Sequence, residues 1–155
     1  MWWRLPRAKF VGQKGTGNKK ALRRIVKTGP PPGILAYVGK QPIGWCALAP
    51  REDYVVLANS HVLKPVDDKP VWSVTCFFIA KAFRRRGVSV ALLKAAVAFA
   101  RKHGAKILEG YPVAHPAGKF PDIFFWPGRP GIFLNAGFSE VARRSPTRPI
   151  MRKVL

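Results

Sequence analysis

The residues best placed to do chemistry form one short basic turn, from Arg84 to Ser89, between an apolar segment and a long helical pattern. A helix N-terminus presents unpaired backbone N–H groups and a partial positive charge, and both attract phosphate. Gly87 lacks the Cβ atom that would block close approach, and Ser89 keeps the third position of the turn small. The turn therefore predicts a pyrophosphate site, and its remaining residues are Arg84, Arg85, Arg86 and Val88.

A second group of candidates is the pair Glu109 and Tyr111, two residues apart within the apolar segment 107–111. Alternate residues of a strand face the same side, so both side chains are expected to line one cleft. A carboxylate in an apolar strand is costly unless it is paired or used in chemistry. An ion pair with one of the many arginines is therefore the alternative explanation for Glu109.

The elements that must position these residues follow from hydrophobic periodicity and from the glycines and prolines between them. Residues 1–20 show no regular pattern. The predicted elements are a helix at 19–28 capped by Asn18, a hairpin at 33–38 and 42–48, a helical turn at 54–57, a central strand at 71–79, a long helix at 87–103, a strand at 106–112, a loop at 113–128, a short helix at 130–136, a strand from 138 and an extended segment at 147–154. This alternation predicts an α/β or α+β domain with a mixed sheet.

The 155 residues are enough for one domain that buries a core without disulfide or metal staples. We expect a single domain over 1–155, with a basic N-terminal segment at 1–32 and a core at 33–155. Cys46 and Cys76 lack the CxxC spacing of a metal or redox site, so no metal is expected. The sequence shows no secretory signal and no apolar run of membrane length. Together with two reduced thiols, these features predict a cytoplasmic protein without a membrane partner.

The net charge is the most unusual property of the composition. Lys and Arg number 28 against 7 Asp and Glu, which gives a formal net charge of +21. Such a surface attracts nucleotides, nucleic acid and anionic membranes, so nonspecific polyanion binding is expected. The cations are spread over the N-terminal segment, the basic turn and residues 143–153, and they match no helix-turn-helix, zinc finger or RNP pattern.

The turn and its surroundings resemble the GNAT acetyltransferase superfamily. Arg84, Gly87 and Ser89 fall on the three defined positions of its motif A, Q/R-x-x-G-x-G/A, with Ser in place of Gly or Ala. The segment 76–79 resembles the splayed central strand of that family, and the Gly-Phe pair at 137–138 resembles the pair that closes its last helix. The order of the predicted elements also agrees with the family.

The resemblance covers about residues 33–155 and implies a mixed, mostly antiparallel sheet flanked by helices. It also implies an acyl-CoA-dependent N-acetyltransferase that moves an acetyl group from acetyl-CoA to a primary amine of a small molecule or protein. The turn would hold the pyrophosphate, and the backbone around Phe78 and Ile79 would receive the pantetheine arm and the acetyl carbonyl. In this chain Glu109 would act as the base and Tyr111 as a substitute acid.

Two features depart from the family pattern. Its members open with a strand and a helix before the helix that we place at 19–28, so either the start is truncated or the opening strand is missing. Many members also carry a tyrosine, the general acid for the departing thiolate, where this chain has Phe133. Because phenylalanine cannot donate a proton, either another group protonates the thiolate or the helix dipole and solvent assist its departure.

The alternative function is that of a non-catalytic, nucleic-acid-associated basic protein that keeps a GNAT-like fold. For an enzyme, the positive field should repel polycationic amines, so an acceptor with an anionic portion or a peptide amine fits better. The loop that carries His115 and Asp122 should border the acceptor site, and the aromatic run at 124–126 should be a packed lid or an interface. The oligomeric state stays open, with a dimer among the allowed states.

Overall fold

A computed structural model describes residues 1–115 and 121–155, which form a six-stranded sheet covered on both faces. The strands are β1 (Gly33–Val38), β2 (Gln41–Pro50), β3 (Trp72–Ile79), β4 (Ile107–Gly110), β5 (Ser139–Arg143) and β6 (Pro149–Val154). The helices are α1 (Arg7–Gly12), α2 (Thr16–Thr28), α3 (Val55–Ala58), α4 (Val88–Lys102) and α5 (Pro130–Leu134). Short 3-10 turns lie at Trp2–Arg4, Arg51–Asp53, Lys81–Phe83 and Asp122–Phe125.

The strand order is β1-β2-β3-β4-β6-β5. Strands β3 and β4 are parallel, and the other neighbouring pairs are antiparallel. The long helix α4 connects the two parallel strands, as parallel neighbours require a crossover. The predicted mixed, mostly antiparallel sheet is therefore confirmed. Residues 1–32 contain no strand.

The two faces of the sheet are covered by different parts of the chain. On one face the buried Leu93 and Ala96 of α4 pack with Val74 and Leu108 of the central strands. The opposite face is covered by the N-terminal segment and the residues after β2, and its buried side chains include Trp3, Tyr54, Leu57, Tyr111 and Ile150. The two acid–base candidates therefore lie on the face opposite α4.

The N-terminal segment differs most from its prediction. Helix α2 begins at Thr16 after Gly15, whose φ is +79°, and thus three residues before the predicted start. Asn18 lies inside the first turn and does not cap the helix; its amide donates to the C=O of Phe10 at 2.9 Å. This contact holds α2 against α1, a helix that was not predicted because its glycine-rich surroundings have no clear period.

Several smaller features complete the fold. No helix in the described ranges is long and apolar enough to cross a membrane. Both cysteines are free thiols. The predicted loop at 113–128 falls partly on residues 116–120, which lie outside the described residues, and the side chain of Asp122 is not described either.

Candidate functional site

The basic turn precedes α4 as predicted, and its backbone conformation explains the glycine. Gly87 is the N-cap of α4 with φ +75° and ψ 0°, a left-handed conformation that other residues rarely adopt. A Cβ atom at this position would meet nothing within 4 Å, so backbone conformation and not crowding requires glycine in the free protein. The first helical bond runs from the Ala91 N–H to the Gly87 C=O at 3.0 Å. The amides before Ala91 are therefore available to a ligand.

The three exposed arginines of the turn have different surroundings. The Nε of Arg84 donates to the C=O of Ile79 at 3.1 Å, which ties the turn to the end of β3. Arg85 has φ +60°, a value that is uncommon outside glycine and marks local strain. The guanidinium of Arg86 lies over the ring of Phe83, 5.8 Å from its centroid. The turn therefore combines a strained backbone, three cations and a helix N-terminus.

The turn opens on a cavity of about 610 Å³. Ligand pockets usually measure roughly 300–1,000 Å³, so the volume suits an extended small molecule. The opposite wall is formed by Phe125, Trp126 and Arg129, and the Arg129 guanidinium lies 3.4 Å from the centroid of the Phe125 ring. Arg86 does not line the cavity. The predicted residues that do are Phe78, Ile79, Arg84, Arg85, Gly87, Val88 and Ser89.

Strands β3 and β4 stop pairing beside the cavity, close to a bulge in the pairing of β3 with β2. Ala47 and Leu48 of β2 pair with Cys76 and Val74, so the intervening Thr75 is an extra residue without a partner. The pairing between β3 and β4 ends at Val74 and Gly110. The two strands therefore diverge from the bulge onwards, as the resemblance predicted for the central strand.

The gap between the diverging strands is bridged by the segment 126–128. The Phe77 N–H donates to the C=O of Trp126 at 2.7 Å, and the Val113 N–H donates to the C=O of Gly128 at 2.9 Å. The Ala80 N–H points the other way, to the C=O of Ile43 at 2.9 Å. Because backbone groups alternate along a strand, the N–H of Ile79 faces the gap and that of Phe78 faces β2.

Glu109 and Tyr111 lie side by side in a buried polar network. Glu109 is 1% exposed, and the Tyr111 hydroxyl donates to its Oε2 at 2.9 Å. Arg152 donates to Oε1 from Nε at 2.9 Å and from Nη2 at 2.6 Å. Arg51 Nη1 donates to the Tyr111 hydroxyl at 2.7 Å and lies 3.8 Å from Glu109 Oε2. Glu109 and Tyr111 therefore share one face, as predicted. Glu109 also forms an ion pair with an arginine, which was the alternative explanation for its position.

The acid–base pair is separated from the basic turn. Glu109 lines a second cavity, of about 530 Å³, with Arg51, Asp67 and Arg152. Glu109 pairs with Ser73 of β3 in the sheet. Ser73 lies about 16 Å along β3 from Phe78, which lines the cavity at the turn. Burial and the neighbouring Glu109 carboxylate raise the pKa of Tyr111, so its phenol stays protonated at neutral pH.

Phe133, at the position of the family tyrosine, belongs to the core. Its side chain is fully buried and makes edge-to-face contacts with Phe77 and Phe138, at centroid distances of 6.1 and 5.4 Å. Among the described residues that line the cavity at the turn, Ser89 carries the one neutral hydroxyl. No group of His, Cys, Asp and Glu side chains in the described ranges is arranged to hold a metal ion.

Sequence reasoning missed the role of Trp126 and Arg129 as cavity walls. The aromatic run at 124–126 was the available signal, but loop residues have no period that indicates their packing partners. Trp126 packs on Trp3, with ring centroids 5.6 Å apart, and its carbonyl closes the gap beside β3. The run is thus packed against the N-terminal segment on one side and the cavity on the other.

A model of the acetyltransferase (GNAT) family matches residues 1–120, which is more than half of the chain. No curated protein matches the chain significantly.

Solved structures with a similar fold include several acetyltransferases. A protein from Desulfovibrio desulfuricans assigned to the GNAT family aligns with a TM-score of 0.57 and 16% identity, over 97% of this chain and 94% of that one. Ribosomal-protein-alanine N-acetyltransferase from Brucella melitensis gives 0.56 and 17%, over 89% and 76%. Aminoglycoside acetyltransferase AAC(6')-Ib in complex with coenzyme A gives 0.51 and 17%, over 77% and 64%. At these identities the similarity shows the fold.

Proposed function

This chain belongs to the acetyltransferase (GNAT) family, and we propose on that premise that it transfers an acetyl group from acetyl-CoA to a primary amine. The observation that best supports the proposal is the open N-terminus of α4 at Gly87, which faces a cavity of about 610 Å³. The acceptor is the amine of a small molecule or of a protein.

The residues of the turn fit the charged part of coenzyme A. The amides at the start of α4 would donate to the pyrophosphate, and the open space at Gly87 lets phosphate oxygens approach the backbone. Arg84 and Arg85 line the cavity and would neutralise part of the phosphate charge, while Arg86 adds to the field from outside. Ser89 is small enough to leave the amides exposed. The turn therefore needs no metal ion to hold phosphate.

The acetyl donor supplies an activated thioester carbonyl, and the protein must hold that carbonyl and manage two protons. The Ile79 N–H, which faces the gap beside β3, would donate to the carbonyl oxygen and stabilise the charge that develops on it. Glu109 is the proposed base for the amine, and Tyr111 the proposed acid. Because neither side chain lines the cavity at the turn, protons would reach and leave this pair through intervening water. The hydrogen bond of 2.9 Å between the two side chains would then pass a proton from Glu109 to Tyr111.

The proposal is tested by thermal unfolding with acetyl-CoA and with free CoA at low and moderate salt. A ligand that binds only the folded state raises the melting temperature in a saturable way. We expect such a rise with both ligands, and we expect it to persist at moderate salt because the site provides directed hydrogen bonds as well as charge. A rise that salt abolishes entirely would indicate nonspecific polyanion binding instead.

Glu109→Gln should lower turnover by roughly 100-fold, because a neutral amide cannot accept the proton of the amine. Acetyl-CoA affinity should change little, since Glu109 does not line the cavity at the turn. Turnover is measured as CoA release with an acceptor found in a screen of primary amines. Glu140→Gln, which removes an exposed carboxylate from β5, is the matched control. Equal turnover in both variants would assign Glu109 a purely structural role.

A second candidate function, nucleic-acid binding, is favoured by the outer face of α2. Five exposed cations form one stripe about 12 Å long, and none pairs with a described carboxylate. The opposite face, with Leu22 and Ile25, is half-buried against the protein, whereas Val26 is exposed. The stripe consists of Lys19, Lys20, Arg23, Arg24 and Lys27.

Changing Lys19, Arg23 and Lys27 together to Gln should weaken binding of duplex DNA or RNA and lower its salt dependence. The slope of log K against log salt should fall by about one for each cation removed. Fluorescence anisotropy of labelled oligonucleotides measures both quantities. The control changes Arg101, Lys102 and Lys106, which are exposed at the end of α4 and just beyond it. An equal loss in the control would show that the net charge, and not α2, binds the nucleic acid.

A further inference from the structure

An uncharged row of apolar side chains crosses three neighbouring strands of the sheet. Strands β1, β2 and β3 contain no Asp, Glu, Lys or Arg, although the chain has 28 Lys and Arg. Leu35 of β1 pairs with Trp45 of β2, and Trp45 pairs with Phe78 of β3. Directly paired residues share one face, so these three side chains form a row about 10 Å long, equal to two strand spacings. We call it the apolar row.

The neighbours of its members show on which face the apolar row lies. Ile34 and Ala36, which flank Leu35, pack with the core beneath α4. Phe77, which precedes Phe78, belongs to the same core. Because successive side chains of a strand point to opposite faces, the apolar row points away from α4.

The apolar row is accessible from outside. Leu35 is 51% exposed and Phe78 is 59% exposed, and Tyr37, on the same face two residues after Leu35, is 55% exposed. Trp45 is half-buried. A Cβ atom at Gly33 would lie 2.5 Å from the Trp45 ring, so glycine lets this ring lie close against β1. Single exposed apolar residues are common on proteins, but a contiguous group of them marks a binding surface.

The apolar row ends at the reacting centre proposed above. Phe78 lines the cavity at the basic turn, and the next residue, Ile79, carries the N–H that would hold the acetyl carbonyl. The acetyl donor would approach from Gly87, at the start of α4. A carbonyl held in the gap beside β3 would then have its other side toward the face that carries the apolar row. That side is the one left for the attacking amine.

We propose that the apolar row binds an apolar part of the acceptor, so that the amine to be acetylated belongs to a molecule with an aromatic or branched aliphatic group. This assignment rests on the proposed acetyl transfer and narrows its acceptor. An uncharged surface offers a charged group no partner, whereas it buries carbon atoms favourably. The net charge of +21 also repels polyamines. A monoamine with its apolar group a few bonds from the nitrogen fits both properties.

A second copy of this chain fits the apolar row less well. Each copy carries a net charge of +21, so two copies repel each other. Lys40, in the turn that follows β1, would add a cation beside such an interface. An acceptor with one amino group meets far less repulsion.

The test measures acetylation of matched acceptors by the full chain. One pair is 2-phenylethylamine and 2-aminoethanol, and the other is a peptide that begins with Phe and the same peptide beginning with Ser. We expect kcat/KM to be at least about tenfold higher for the apolar member of one pair, mainly through a lower KM. The pair that shows this preference identifies the source of the amine. Equal values within both pairs, or acetylation of neither apolar acceptor, would overturn the assignment.

Two variants, Phe78→Ser and Leu35→Ser, remove the exposed ends of the apolar row. Each should lower the preference for the apolar acceptor by roughly fivefold, with the larger effect at Phe78, which lies nearest the gap. Because the preference is a ratio between two acceptors, any effect on acetyl-CoA cancels. Val141→Ser, at an exposed apolar position of β5, is the control and should keep the preference. An unchanged preference in both variants, or an equal loss in the control, would overturn the assignment.

Sedimentation velocity of the wild type and of Leu35→Ser tests the second copy as occupant. We expect the same species in both. A wild-type dimer that Leu35→Ser converts to a monomer would assign the apolar row to self-association and overturn the proposal.

The outcomes distinguish this inference from the proposed function. If acetyl-CoA protects the protein and the matched acceptors show no preference, the assignment of the apolar row fails and acetyl transfer stands. If acetyl-CoA gives no protection, acetyl transfer fails. Calorimetry of 2-phenylethylamine against 2-aminoethanol, measured without CoA, then decides whether the apolar row binds an apolar amine.

Discussion

Gly87→Glu should abolish saturable binding of acetyl-CoA, with affinity falling by roughly 100-fold or more. The new carboxylate would stand at the N-terminus of α4, where the amides are expected to meet the pyrophosphate, and would repel it. Its Cβ atom would also occupy space that is open in the free protein. The measurement is the thermal shift with acetyl-CoA, supported by calorimetry, on wild type and variant side by side.

The matched control is Gly104→Glu at the other end of α4. Gly104 has φ +81° and Gly87 has φ +75°, and neither would place a Cβ atom within 4 Å of another group. Both variants therefore incur a similar conformational strain, about 1–2 kcal/mol, but only one carries charge into the turn. We expect Gly104→Glu to retain acetyl-CoA binding. Binding that survives in Gly87→Glu would contradict the assignment of the turn to phosphate.

Arg152→Met should destabilise the protein by about 3–5 kcal/mol, because it leaves the Glu109 carboxylate buried without its main partner. Arg152 makes two hydrogen bonds to Glu109, at 2.6 and 2.9 Å, and two to Asp67, at 2.6 and 3.1 Å. Methionine fills much of the same volume, so the loss reports on charge and hydrogen bonding more than on packing. The free energy of unfolding is measured by denaturant titration.

Arg143→Met is the control for Arg152→Met. Arg143 also binds a glutamate through two nitrogens, Glu140 at 2.6 and 2.7 Å, but both side chains are 38% exposed. Solvent can replace the lost contacts of an exposed pair, so its loss should have a far smaller effect. If both variants lost the same small amount of stability, Glu109 would not depend on Arg152. The residual Arg51 contact at 3.8 Å would then suffice for the carboxylate.

The elements near the basic turn could be predicted because their signals are local. Gly87 and Gly104 bracket an apolar, Ala- and Leu-rich stretch, and α4 spans Val88–Lys102 as this pattern indicates. The β-branched and aromatic run before the turn became β3, and the hairpin formed at its predicted glycine turn. In each case the deciding interactions join residues close in sequence, so periodicity and turn chemistry contain the answer.

The N-terminal segment and the gap beside β3 depend on contacts that local sequence patterns do not encode. Helices α1 and α2 are joined by the hydrogen bond from the Asn18 amide to the C=O of Phe10, eight residues away. The bulge at Thr75 is defined only by its pairing with β2, and the segment at 126–128 reaches the gap through hydrogen bonds to Phe77 and Val113. No hydrophobic period encodes such contacts, because they join residues far apart in the chain.

The sequence by itself determined the fold class, the turn at Gly87 and the common face of Glu109 and Tyr111, since backbone conformation and strand alternation are local properties. Only the tertiary structure decided that Arg152, 43 residues from Glu109, is its partner and that the pair does not line the cavity at the turn. It alone also aligned Leu35, Trp45 and Phe78 across three strands. Long-range packing sets which polar groups are buried together, and that choice depends on the whole fold.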